Sequence, residues 1–300
     1  MKKMKQAFTV AGYNFRHWHK NPWIILGFVL AFILCFLLTN KVLLFAQQYG
    51  TALQLLEPFI WTFGDSASIL LASLLLVFLL SDMPFLSSGT PFYLMRTSRR
   101  IWLLGQGLYI AGTTILYVGF ILLSTMILCA RNAFPGNMWS PTAAMLGFSG
   151  AGRAIAVPAA QRAMEMAAPF SCAGTILFLM LLYSLLTAWV MLLFYLWKGA
   201  AAGMTSVFVF SLFGFLLSPE TVKTLLNLSE SESYVANIVV GWVSPLNHAA
   251  FQMHNYGFDH LPWLHQSIGI FCVLILVCFW ICTKLIQTYS FSFTGTEGNT

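Results

Sequence analysis

An all-α protein that crosses a membrane several times is what this sequence predicts, and three observations carry the prediction. Hydrophobic residues make up 59% of the 300 residues and charged residues only 8%, against roughly 25% charged in an ordinary soluble domain. Mean hydropathy is +0.79. The few charges fall between apolar runs of about 20 residues, the length of helix that crosses a bilayer. With 15 basic and 9 acidic residues, the chain cannot coat a soluble surface. Soluble enzymes and nucleic-acid binders are thereby excluded, and no nucleic-acid partner is expected. The net charge of +6 points to the anionic cytoplasmic leaflet.

Met1–Lys20 reads as an amphipathic helix lying on the membrane. Met4, Phe8, Ala11, Phe15 and Trp18 share one face, and Lys5, Thr9, Gly12, Arg16 and Lys20 line another. Asn21-Pro22 ends it and turns the chain into the first span. No cleavable signal peptide is expected: about twenty largely polar residues precede the first apolar run. Stretches free of Asp, Glu, Lys and Arg then give six spans: Asn21–Asn40, Ser66–Ser81 (extended to Leu86 past Asp82), Ile101–Ala130, Met166–Trp197, Gly199–Pro219 and His260–Thr283. The long third and fourth windows are each expected to hold one helix plus flanking loop, with Pro169 and Gly174 breaking the start of the fourth. A further patch, Val235–Val243, is too short to cross. It reads as a re-entrant or interfacial segment that breaks at Ser244-Pro245.

Lys and Arg set the orientation. With both termini in the cytoplasm, Lys2, Lys3, Lys5, Arg16, Lys20, Arg96, Arg99, Arg100, Lys198 and Lys284 lie inside, ten in all; Lys41, Arg131, Arg153, Arg162 and Lys223, five, lie outside. The opposite orientation reverses that ratio. Three regions therefore follow: the interfacial helix 1–20, a six-span domain 21–289 and a tail 290–300 expected to be disordered.

The richest segment is the cytoplasmic loop of about 82–100, which joins spans two and three. Thr90 stands where an N-cap would, Pro91 suits a first helical position, and Pro91–Arg99 is expected to form a short cytoplasmic helix. Phe85, Leu86, Phe92, Tyr93 and Leu94 are too apolar for a solvated connector, so the patch calls for a partner or the bilayer surface. His248, His254, His260 and His265 accompany Asp259 on the outer side, but spacings of six, six and five do not share a helical face. They are expected to be interfacial, with no metal site. Gly199-Ala-Ala-Ala-Gly203 is a GxxxG motif for close helix approach, within the subunit or between subunits. Cys35, Cys129, Cys172, Cys272, Cys278 and Cys282 sit in or near apolar stretches and read as small packing residues.

Absences narrow the class. Asp82 is the only acid within an expected span, so the intramembrane carboxylates of an ion-coupled transporter are lacking. No nucleophile–base pair, metal set or channel filter is visible, and no cofactor is implied. No G-x-x-x-x-G-K-[ST] occurs, so the chain is not expected to hydrolyse nucleotide or to be an enzyme. A bundle that moves a cargo without its own energy source would draw power from a partner.

The order of these parts resembles the membrane subunit of ABC-2-type ABC transporters over nearly the whole chain: an interfacial helix, six spans, a coupling segment after span two and a re-entrant stretch before span six. The most specific match is DMPF followed by TPFYLMRTSRRIWLLGQ, within Ser81–Gln106, which looks like the corresponding loop of permeases from Gram-positive bacteria. The resemblance implies a separate ATP-binding cassette ATPase, a second permease subunit (the same or a different chain) and residence in the cell membrane. Carried over, the residues docking on the ATPase are Phe85, Leu86, Pro91, Tyr93, Leu94, Arg96, Arg99 and Arg100. It further implies export of a hydrophobic or amphipathic cargo such as a peptide. The outer loop Arg131–Glu165 departs from the family in length and in Gly, Ala and Arg content. The competing reading is a membrane sensor or immunity protein with no ATPase partner.

Overall fold

The computed structural model describes residues 2–81, 83, 97–155, 157, 161–229, 232–257 and 259–289. Helix α1 (Lys2–Arg16) passes through a 3-10 turn, Trp18–Lys20, to Asn21. The Asn21 side chain accepts the Trp23 N–H and Pro22 takes the first helical position, so this dipeptide starts α2 (Pro22–Tyr49). Gly50, at φ +62°, ends it in the left-handed conformation that glycine adopts without strain. A two-residue strand, β1 (Leu53–Gln54), leads into α3 (Glu57–Phe63); Asp65 then caps α4 (Ser66–Leu79). Ser98 caps α5 (Arg99–Cys129), 31 residues without a break. Beyond it, β2 (Ala133–Phe134) pairs in parallel with β1, and α6 (Pro141–Phe148), α7 (Ala151–Ala154) and α8 (Gln161–Met166) follow. The remaining helices are α9 (Pro169–Lys198), α10 (Ala200–Leu216), α11 (Pro219–Leu225), α12 (Ser233–Val243) and α13 (Leu264–Thr288).

Among the described residues, four helices are long and apolar enough to cross a membrane: α2, α5, α9 and α13. The pairs α3–α4 and α10–α11 bend by 90° and 75°, and counting each as one crossing brings the number to six. The chain is a multi-pass, all-α membrane protein. Helix α9 is its centre, touching α10, α13, α5, α4 and α3. Its most apolar stretch is 67% buried, against 28% for α2 and 11% for α13. The outer helices instead expose Ile25, Phe36 and Leu37 on α2, Val209 and Leu212 on α10, and Leu276 and Trp280 on α13. Such faces would drive aggregation in water, whereas lipid tails match them.

Several expected boundaries move, for one reason: the absence of charge marks where lipid begins, not where a helix ends. Helix α2 continues through Lys41 to Tyr49. The third window is filled by α5 as a single helix. Pro169 opens α9, at the position where its missing N–H costs nothing, and Gly174 lies inside that helix. Gly199 is the turn, at φ +86°, between α9 and α10, so only Gly203 of the GxxxG faces a neighbour. A Cβ on Gly203 would meet the Met191 carbonyl and the Tyr195 Cβ, both at 3.1 Å, which gives the motif a use inside the subunit. The last span starts at Leu264 rather than His260 and runs to Thr288. The patch Val235–Val243 lies in a short helix, α12 (Ser233–Val243), packed on α11 through Val222, Ala236 and Val240. The tail 290–300 lies outside the described residues.

The N-terminal helix needs the largest correction. It does not only rest on a surface; one side is packed on α5. Ala7, Val10, Ala11 and Asn14 are buried, while Met4 and Phe8 are 57% and 59% exposed. Small side chains face α5 because the backbones come close: a Cβ on Gly105 would lie 2.6 Å from the Val10 Cβ.

Candidate functional site

Two ends of the bundle carry polar structure. One is formed by the start of α5 and the later turns of α9 and α13, as the Gly107–Trp189 and Arg99–Ile286 contacts establish, and by the end of α4, where Leu80 and Met191 of α9 line one cavity. We call it the basic end, because Arg99, Arg100, Lys198 and Lys284 lie on it. Of the residues predicted to dock on a partner, Phe85, Leu86, Pro91, Tyr93, Leu94 and Arg96 fall outside the described residues, as do Thr90 and Phe92. Arg99 and Arg100 open α5. The Arg99 guanidinium donates to the carbonyls of Ile286 (3.1 Å) and Gln287 at the last turn of α13, a cation on the negative pole of that helix. Arg100 is exposed.

Helix α1 is fixed to α5 just beyond this start. The Asn14 amide donates to the Gln106 side-chain carbonyl at 3.1 Å, buried, and the Trp18 indole donates to the Tyr109 hydroxyl at 3.0 Å. Phe15 meets the Tyr109 ring edge-on at 5.0 Å. Helix α1 and the first turns of α5 thus form one unit, entered from the segment that precedes Ser98.

The far end holds a buried carboxylate that the sequence reading missed. Glu57 is 0% exposed. Its Oε1 accepts the Ser140 N–H at 2.7 Å; its Oε2 accepts the Ser140 hydroxyl at 2.5 Å and the Gln54 N–H at 3.2 Å. Ser140 Oγ in turn accepts the Ala143 N–H and so caps α6. Thr142 donates to the Ala52 carbonyl at 2.8 Å and pairs with Thr51. A buried carboxyl group is tolerated only when its oxygens are hydrogen-bonded, and here the donors come from two separate segments. Glu57 therefore joins the β1–α3 turn to the start of α6. Asp82 is not the only acid to consider: Glu57 precedes the apolar run Pro58–Phe63, a signal that a search for charge-free windows cuts away.

The histidines divide. His260 and His265 are exposed, but His248 and His254 are 1% and 0% exposed and so not interfacial. His248 Nε2 lies 3.1 Å from the Trp242 carbonyl and must donate to it; Nδ1 then accepts from the Ser267 hydroxyl at 2.9 Å. Burial pulls its pKa below the ordinary histidine value. His254 Nδ1 donates to the Ala250 carbonyl at 3.0 Å, and burial lowers its pKa to about 4. Both rings are neutral struts. Arg162 pairs with Asp259 and donates to the His254 carbonyl at 3.3 Å, with the Tyr256 ring 5.5 Å away. Two open cavities of about 480 and 420 Å³ share Arg162 and Asp259 on this face. Among the described residues no group of His, Cys, Asp and Glu is placed to hold a metal ion. The six cysteines are all free thiols; Cys272 is exposed and Cys278 half-buried, and the other four are buried.

No family model matches this chain, and neither curated proteins nor solved structures give a significant match to it.

Proposed function

We propose that the chain is the membrane-spanning permease subunit of an ATP-driven transporter of the ABC-2 type. It pairs with a second permease subunit, in the cell membrane with both termini cytoplasmic, and exports a hydrophobic or amphipathic cargo such as a peptide. ATP is hydrolysed on a separate cassette subunit docked at the basic end.

The observation that supports the reading is α5 itself, one unbroken helix from the basic end to the far end. The docking segment precedes α5 in the sequence, and the 31 residues of α5 extend roughly 46 Å at 1.5 Å per residue, more than the ~30 Å hydrocarbon core. Helix α1 is bonded to its start, and β2, paired with β1, follows its other end. A displacement applied at residues 82–98 is carried by a rigid rod to the turn that Glu57 fastens. Such a rod couples a cytoplasmic nucleotide-driven motion to an outer gate if the two nucleotide states favour different rod positions. Glu57 does not favour an ion-coupled pump instead, since donors of the same chain occupy both of its oxygens.

The test is purification of the tagged full chain from crosslinked native membranes, with the retained subunits identified and their ATP hydrolysis measured. The reading expects a stoichiometric ATP-hydrolysing subunit whose rate responds to amphipathic peptides. A sensor or immunity protein working alone retains none.

A further inference from the structure

A second feature of the basic end is independent of any ATPase partner. Helices α9 and α10 meet at Gly199 with no intervening loop, and Gly203 draws α10 against α9 on one side. On the other side they enclose an open, almost wholly apolar groove of about 530 Å³. One wall carries Phe194, Trp197 and Lys198; the other carries Thr205, Val209 and Phe213. From Ala202 to Phe213 the α10 wall rises roughly 17 Å at 1.5 Å per residue. That is about the depth of one leaflet, half of a ~30 Å hydrocarbon core. Ser206, on the floor, spends its hydroxyl on the Gly203 carbonyl at 2.6 Å, so that group asks nothing of a ligand.

The rim at Gly199 is electropositive twice over. Lys198 is exposed, with Nζ 4.6 Å from the centre of the Trp197 ring. Helix α10 begins at Ala200 with no side chain capping it, so its first N–H groups and the positive pole of its dipole open at the same place. Among the described residues no Asp or Glu lies at this end of the bundle. An apolar slot one leaflet deep, with a Trp and a Lys at the interface and an anion-favouring helix start beside them, has the chemistry of a phospholipid: tail below, phosphate above.

We propose that this groove is a binding site for one acyl chain of an anionic phospholipid, with the headgroup phosphate held between Lys198 Nζ and the first turn of α10. The full chain, delipidated in mild detergent, is titrated with phosphatidylglycerol or phosphatidylcholine of identical chains, and bound lipid is counted by native mass spectrometry. The expected result is one tightly retained lipid, with phosphatidylglycerol preferred roughly fivefold, the effect of one lysine near an anionic headgroup. Lys198→Gln removes that preference and leaves the site occupied. Thr205→Trp fills the groove from its exposed side and lowers occupancy by either lipid at least tenfold. Ala202→Leu, a smaller filling of the same slot, moves occupancy in the same direction if the larger side chain impairs folding. Equal retention of the two lipids by the wild type would overturn the proposal. So would unchanged occupancy in both filled variants, or a change from dimer to monomer in them with bound lipid unaltered, which would assign the groove to a second copy of the chain.

Discussion

Glu57 shows how much a single side chain holds at the far end. Replacing it with Gln keeps its shape but turns one acceptor into a donor that faces the Ser140 hydroxyl and the Gln54 N–H. Leaving buried groups unpaired costs about 1–3 kcal/mol. The thermal midpoint of Glu57→Gln in detergent should therefore fall clearly, and that of Ser140→Ala by less, because the Ser140 N–H bond at 2.7 Å survives in the second. The double variant should be less destabilised than the sum of the singles, the signature of a direct contact; additive losses would dissociate the two residues. His254 gives a second prediction at this scale. Its folded pKa of about 4 lies below the ordinary histidine value, so the unfolded chain takes up a proton first as the pH falls. Its contribution is complete above pH ~6.5 and is lost progressively toward pH 4, by roughly 3 kcal/mol at most. The difference in melting temperature between pH 7.5 and pH 4.5 should shrink in His254→Asn, whose amide can still donate to the Ala250 carbonyl but does not titrate. An unchanged difference would place the acid sensitivity elsewhere. Neither residue was legible in the sequence as a strut. A lone Glu before Pro58 reads as loop because its partner Ser140 is 83 residues away, and four unequally spaced histidines read as surface because nothing in their spacing shows that His254 is buried against the Ala250 carbonyl.

At the level of elements, the Asn21-Pro22 and Ser244-Pro245 boundaries were readable and the packing faces were not. Asn21-Pro22 starts α2, and α12 stops at Ser244-Pro245, because such local signals are settled within a few residues. The face that α1 buries depends on Gly105, some 95 residues on, and it selects Ala7 and Val10 over the larger Met4 and Phe8. The seam predicts that Gly105→Leu, whose Cβ would meet Val10 at 2.6 Å, forces α1 off α5. Overpacking of this kind costs about 1–3 kcal/mol, and α1 should become a site of rapid limited proteolysis. Gly119→Leu on the same helix is the control, since nothing lies within 4 Å of a Cβ there, and it should leave both stability and cleavage unaltered. Equal protease resistance of α1 in the two variants would deny the seam any role in holding it.

For the whole molecule, composition and run length were enough for an all-α multi-pass membrane protein: 8% charged residues call for lipid, and unbroken apolar runs of about 20 residues satisfy their backbone there as helices, whereas barrel strands are shorter and alternate. Composition could not reveal that two helix pairs bend by 90° and 75°, nor that Glu57 ties the β1–α3 turn to the start of α6, since both depend on contacts distant in sequence. The central claim is that this bundle is driven through the segment between α4 and α5. The measurement that tests it most directly is ATPase association by a Tyr93→Ala, Leu94→Ala variant that still inserts and expresses. If Tyr93 is an interface anchor, truncating it weakens association by roughly 1–3 kcal/mol. Tyr93 and Leu94 carry no charge, so a topology change cannot account for the loss. The account predicts that the wild-type chain retains the ATP-hydrolysing subunit and that the variant loses both it and transport. Undiminished association together with undiminished transport would contradict it.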